Sequence, residues 1–146
     1  MKITDIVDLI VVITLKDRKD RHCDLKHNLE LIGMNDNKYF LAEKHTKGPV
    51  YGSFDSHMKV IEYAYKNNYK NVLVLEDDVC FDVEKLLNKE TLSNISNFIN
   101  NNKDWDLFFL GGIPYYKFGD YNDLIIKGEW ILAHSYIVNR KSKHSI

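Results

Sequence analysis

The run from Asp8 to Leu15 is rich in β-branched residues and apolar at successive positions, so both of its faces need cover. A strand inside a sheet, with helices packed on each side, meets that demand. Val72 to Leu75 repeats the pattern. Elsewhere the apolar spacing is helical. Leu25, Leu29 and Ile32 recur at intervals of four and three and close at Gly33, in the position of a helix C-cap. Phe54, Met58, Ile61 and Tyr65 predict a second helix, with Ser53 or Asp55 placed to cap its first amides and Asn67-Asn68 ending it. Leu92, Ile95 and Ile99 predict a third, fraying at Asn100 to Asn102. Further strands are expected at Lys38 to Ala42, Asp106 to Leu110 and Ile131 to Val138. Gly48-Pro49 and Gly111-Gly112 punctuate loops, and Tyr115 to Asp123 reads as a polar, aromatic loop. Such alternation predicts a single α/β domain: a mostly parallel central sheet, helices on both faces, right-handed crossovers, and ligands beyond the carboxyl ends of the strands.

Several function classes drop out on charge and hydropathy. The formal net charge is −1 and the basic residues are scattered, so no stripe exists to neutralise a run of phosphates, and nucleic acid is not an expected partner. The longest apolar run falls far short of the roughly 20 residues of a membrane-spanning helix. Asp5 and Asp8 precede it where a secretory leader carries positive charge. The only cysteines, Cys23 and Cys80, form no CxxC pair, which predicts free thiols in a reducing, cytoplasmic setting. Asn94-Ile95-Ser96 is read as a chance sequon in an Asn-rich chain.

The chemistry concentrates where polarity flips at the end of the second apolar strand. Leu73-Val74-Leu75 runs directly into Glu76-Asp77-Asp78, three acids delivered to the crevice that this fold class uses for ligands. Crowded carboxylates repel one another, and a hard divalent cation is the usual remedy. On extended chain Glu76 and Asp78 leave on the same side and can share one ion, while Asp77 faces the other way. Two alternatives use the same residues. The acids can simply cap a helix or line a solvated turn. A phosphorylation receiver domain also has acids after an apolar strand, but here the acids come mid-chain and the strand Asp106 to Leu110 ends at Gly111 without an acceptor carboxylate.

Four separated segments together resemble glycosyltransferase family 25, the group of lipopolysaccharide glycosyltransferases and procollagen galactosyltransferases. Val12 to Arg21 is similar to its opening strand and Arg-rich turn, with Thr14 where Asn is usual. Gly52-Ser53-Phe54-Asp55-Ser56-His57 resembles its entry to a helix, with Ser53 in the place of Cys. Val74 to Val79 resembles its metal motif. Trp105-Asp106 through Leu110-Gly111-Gly112, then Ser135 to Lys141, is similar to its strand, glycine turn and closing strand. The resemblance implies a GT-A-like nucleotide-sugar fold and transfer of a hexose, galactose or glucose, from a UDP-sugar to a glycan or protein hydroxyl, with Mn2+ or Mg2+. Glu76 and Asp78 are then the expected metal ligands. Thr14, Leu15, Lys16, Arg18, Arg21, Ser56, His57, Glu76 and Asp77 are expected at the donor, with Arg suited to bidentate pairing with phosphate. Ser56 and His57 are expected at the start of the second helix, where free amides favour anions. Asp106 and Asp77 are the expected catalytic carboxylates, and Glu129 and His134 are further candidates for the general base. Relatives in this family continue past the closing strand, so a chain ending at Ile146 is expected to lack the acceptor-side extension. A nucleotide-sugar-binding module without turnover is the alternative.

Overall fold

The computed structural model describes residues 1–111, 113–131 and 134–139. Gly112, Leu132, Ala133, Arg140 and Lys141, which belong to the predicted segments, lie outside the described residues. Five strands form the central sheet in the order β2-β1-β3-β7-β4, from Leu9–Leu15 (β1), Lys38–Ala42 (β2), Asn71–Glu76 (β3), Leu107–Phe109 (β4) and Ser135–Asn139 (β7). The first two pairings, β1 with β2 and β1 with β3, are parallel. β7 is antiparallel to both β3 and β4, so four of the five strands share a direction and one opposes them.

Helices cover both faces, as the doubly apolar strands require. Ile10 and Val12 of β1, Leu73 and Leu75 of β3 and Ile137 of β7 pack under Leu25 and Leu29 of α1 (Lys19–Leu31) and Leu92, Ile95 and Ile99 of α4 (Lys89–Asn101). The alternate residues Val11, Ile13, Val72, Val74, Tyr136 and Val138 pack on the other face against Val60, Ile61 and Ala64 of α2 (Pro49–Lys66). Gly33 follows α1 with φ of 73°, the left-handed backbone a helix stop needs. Asn88 caps α4 by accepting from the Glu90 and Thr91 amides.

Three expectations are corrected and one element is added. α2 begins at Pro49, in the first helical position behind Gly48, so Ser53 and Asp55 lie inside it rather than at its cap. Its first turns are exposed, with Val50 and Phe54 facing solvent, so apolar spacing does not mark that end. A short helix, α3 (Val83–Leu87), follows the acids. The segment read as a loop from Tyr115 lies largely in a hairpin, β5 (Ile113–Asp120) with β6 (Ile126–Ile131), forming a separate two-stranded sheet. The closing strand begins at Ser135, and it is antiparallel because a hairpin precedes it in place of a crossover helix.

Candidate functional site

The sheet order reverses between β1 and β3, and their carboxyl ends open the crevice at that switch point. Side-chain alternation along β3 decides which acid goes where. Glu76 shares a face with Val72 and Val74, toward α2, while Asp77 turns to the α1 face.

Asp77 ties the two strand ends together. Its Oδ2 accepts from the Thr14 hydroxyl at 2.7 Å and its Oδ1 from Arg21 Nη1 at 2.8 Å. His22 Nε2 lies 3.0 Å from Thr14 Oγ1 and 3.3 Å from the Leu15 carbonyl. Because the Thr14 proton is committed to Asp77, His22 donates to both oxygens. His22 was not among the expected residues, and its only signal in the sequence is its place in the first turn of the helix that follows β1. Both Asp77 oxygens are engaged, which makes it a brace between β1, β3 and α1.

Glu76 sits between two imidazoles. His57 Nε2 is 3.0 Å from its Oε1 and His134 Nδ1 is 2.7 Å from its Oε2. The hydrogen bond from His57 holds the Glu76 carboxyl below the usual range against the opposing effect of burial, and the bond from His134 adds to it. A carboxylate only accepts, so both ring nitrogens facing it carry protons. His57 Nδ1 then accepts a hydrogen bond from the Tyr136 hydroxyl at 2.5 Å, and burial pushes the Tyr136 phenol well above its ordinary pKa, keeping the proton on the oxygen. Tyr136 was not among the expected residues; its position on the α2 face of β7 follows only once that strand's register is known. The imidazole of His134 also reaches Asp78, with Nδ1 at 3.2 Å from Oδ1.

Glu76, Asp78 and His134 each have an atom that can bind a cation, the His134 nitrogen once its proton is displaced, and these atoms all lie within 4.8 Å of one another. Two carboxylates with one imidazole form a donor set suited to a divalent cation such as Mn2+. His134 joins because antiparallel β7 starts where β3 ends, with the Glu76 amide donating to the His134 carbonyl at 2.9 Å.

Three cavities meet at the triplet. One, of about 430 Å³, is lined by Thr14, Leu15, Arg18, Arg21, Ser56 and the three acids, bringing together most of the expected donor residues. The second holds His57, Glu76 and Tyr136. The third, on the α4 face, holds Asp78, His134 and Ser135. Other expected residues stand differently. Lys16 is exposed and paired with Glu43 at 2.5 Å, and Arg18 pairs with Asp20 at 3.2 Å. Ser56 and His57 lie well inside α2 rather than at its start; the Ser56 hydroxyl donates back to the Gly52 carbonyl at 2.8 Å, so neither has free helix-end amides beside it.

Asp106 is corrected. It precedes β4, and its carbonyl accepts from the Asn139 amide, level with Asn71 at the opposite end of β3. At about 3.3 Å per residue it stands roughly 16 Å along the strand direction from Glu76. Glu129 is on β6 and lines a cavity with Asp106, away from the triplet. Gly111 borders the third cavity, and a Cβ there meets nothing within 4 Å, so no close approach demands a glycine. A receiver domain, with an all-parallel sheet, does not accommodate β7 lying antiparallel between β3 and β4.

No protein-family model and no curated protein matches this sequence. Among solved structures, the chain is similar to one described as the crystal structure of a glycosyltransferase involved in the glycosylation of the major capsid of PBCV-1, at 14% identity and a TM-score of 0.40. That alignment covers 94% of this chain and 63% of the other, so this chain spans under two thirds of its length. No helix among the described residues is long and apolar enough to cross a membrane.

Proposed function

We propose that this protein is a metal-dependent glycosyltransferase that moves a hexose, galactose or glucose, from a UDP-sugar to a hydroxyl of a glycan or protein acceptor. The observation that carries the reading is the cluster of Glu76, Asp78 and His134, within 4.8 Å of one another at the mouth of the crevice between β1 and β3. It joins a sheet of GT-A character to the four-segment resemblance to glycosyltransferase family 25.

Glu76, Asp78 and His134 would hold Mn2+ or Mg2+; when bound, the cation supplies Lewis-acid stabilisation of the charge that grows on the departing diphosphate. His57 and Tyr136 keep Glu76 ionised and aimed. Asp77 fixes the turn that carries Asp78, through Thr14 and Arg21. Thr14, Leu15 and Arg21 line the cavity assigned to the nucleotide, and Arg21 contributes positive charge there. In the transfer, the acceptor oxygen bonds to the anomeric carbon as the bond from that carbon to the diphosphate oxygen breaks. UDP leaves with the electron pair, and the hydroxyl proton passes to a base.

The test is calorimetry of Mn2+ and UDP with the parent and a Glu76→Ala, Asp78→Ala double variant, alongside UDP-sugar hydrolysis. Metal-dependent UDP uptake and turnover in the parent, both lost in a folded double variant, are expected. Uptake without turnover reduces the protein to a nucleotide-sugar-binding module; no uptake by folded parent removes the reading.

A further inference from the structure

We propose that the cavity on the α4 face of the sheet is the acceptor subsite and that it takes an uncharged pyranoside ring. The inference rests on the transferase reading and names the substrate class of that site. The cavity measures about 570 Å³, within the range of small-molecule sites. Asp78 and His134 belong both to its wall and to the cation donor set, so an occupant sits beside the departing diphosphate.

Ser135 carries the argument. It is 5% exposed, and its hydroxyl is a buried side-chain polar atom with no hydrogen-bond partner among the described residues. Its backbone is fixed from both sides. Its carbonyl accepts from the Leu110 amide at 3.1 Å, and it pairs with Leu75 across the ladder, so the backbone holds the residue at the cavity wall. A buried hydroxyl left without a partner costs free energy, and rotation about χ1 lets this one turn to a ligand in the cavity that Ser135 lines.

The remaining wall selects the ligand. Phe81, Phe108, Leu110 and Ile125 offer apolar surface, and Thr91 adds a second hydroxyl. A pyranoside presents both complements, a face of C–H groups and a rim of hydroxyls that each donate and accept. A pure hydrocarbon leaves Ser135 unpaired. An anion meets Asp78 and Asp82, and the nearby Lys85 is already drawn to Asp82 at 3.6 Å.

Saturation-transfer NMR on the full chain with Mn2+ and UDP, using methyl β-D-galactopyranoside and methyl β-D-glucopyranoside as probes, tests the assignment. At least one glycoside is expected to bind the parent. Thr91→Trp, which fills the cavity from α4, abolishes that signal. Ser135→Ala weakens it by about three- to tenfold, the ratio one neutral hydrogen bond is worth, and raises the melting temperature because the orphan hydroxyl is gone. Uptake of Mn2+ and UDP is measured separately on all three proteins and stays unchanged in the variants. Glycoside binding of equal strength in all three, or none by a parent that takes up Mn2+ and UDP, overturns the subsite and leaves the transferase reading standing. A lower melting temperature for Ser135→Ala reveals a native partner for the hydroxyl and overturns it too. A parent that takes up no Mn2+ and UDP fails both.

Discussion

The Tyr136 hydroxyl lies 2.5 Å from His57 Nδ1, and through that contact β7 and α2 jointly orient the ring that holds Glu76. Tyr136→Phe removes the donor while leaving the stacked ring, whose centroid is 5.6 Å from that of His57. The imidazole then keeps a largely buried lone pair without a proton. The expected loss is about 1–3 kcal/mol of stability by urea unfolding, with Mn2+ affinity falling on the order of tenfold because Glu76 loses its fixed aim. Unchanged values on both counts would show that the contact orients nothing.

Asp77 is expected to behave as a positioning residue. Replacing it with Ala leaves Thr14 and Arg21 without their shared acceptor and frees the turn between Glu76 and Asp78. Mn2+ affinity should drop by about 10–100-fold, the usual effect of losing support behind a metal ligand. In a double-mutant cycle on stability, Arg21→Ala and Asp77→Ala should couple by about 0.5–3 kcal/mol. Additive effects would mean that the ion pair at 2.8 Å contributes no coupling.

The Glu76 carboxyl contributes to the acid sensitivity of the metal-free protein. Its folded pKa is below the ordinary value of 4.5, chiefly through the hydrogen bond from His57. A depressed carboxyl contributes stability that is fully present above the unfolded pKa and is lost as pH falls through the folded one. In chelator-treated samples, the melting temperature of the parent relative to Glu76→Gln should therefore be constant above about pH 5 and decline below about pH 4.5. A difference that does not change between pH 7 and pH 3 would remove Glu76 from this role.

How far residues alone reach is clear from these same elements. β1 and β3 are buried on both faces and read as sheet interior from apolar runs alone, and the parity of successive residues separates Glu76 from Asp77, whereas Asp78 already lies in the turn beyond β3. Strand direction is not written in an apolar run. Ser135 to Val138 looks alike whether parallel or antiparallel, yet only the antiparallel choice brings His134 to Glu76 and Tyr136 to His57. Asp106 was misplaced for another reason: β4 runs with β3, as a parallel sheet predicts, so a residue at its amino end was already legible as remote from the acids, and the family resemblance alone suggested it. The hairpin escaped notice because Tyr115, Tyr116 and Phe118 all face solvent, so no one-sided alternation marks β5. Pro49 behind Gly48 was a legible helix start, overridden by apolar spacing that begins only deeper in α2.

Gly128 tests whether that hairpin is a fixed part of the fold. It sits on β6 opposite Lys117, and a Cβ there would collide with the Tyr116 carbonyl oxygen, a backbone atom that cannot swing aside as a flexible side chain does. Gly128→Ala must push β5 and β6 apart. Overpacking of this kind costs about 1–3 kcal/mol. Because β6 leads toward β7, the separation should pass to the strand that delivers His134 and Tyr136 to the acids. Faster proteolysis within residues 113–131 and weaker Mn2+ uptake are the expected pair of effects. Faster cleavage with uptake unchanged would mean that β7 is held by β3 and β4 alone, independently of the hairpin before it.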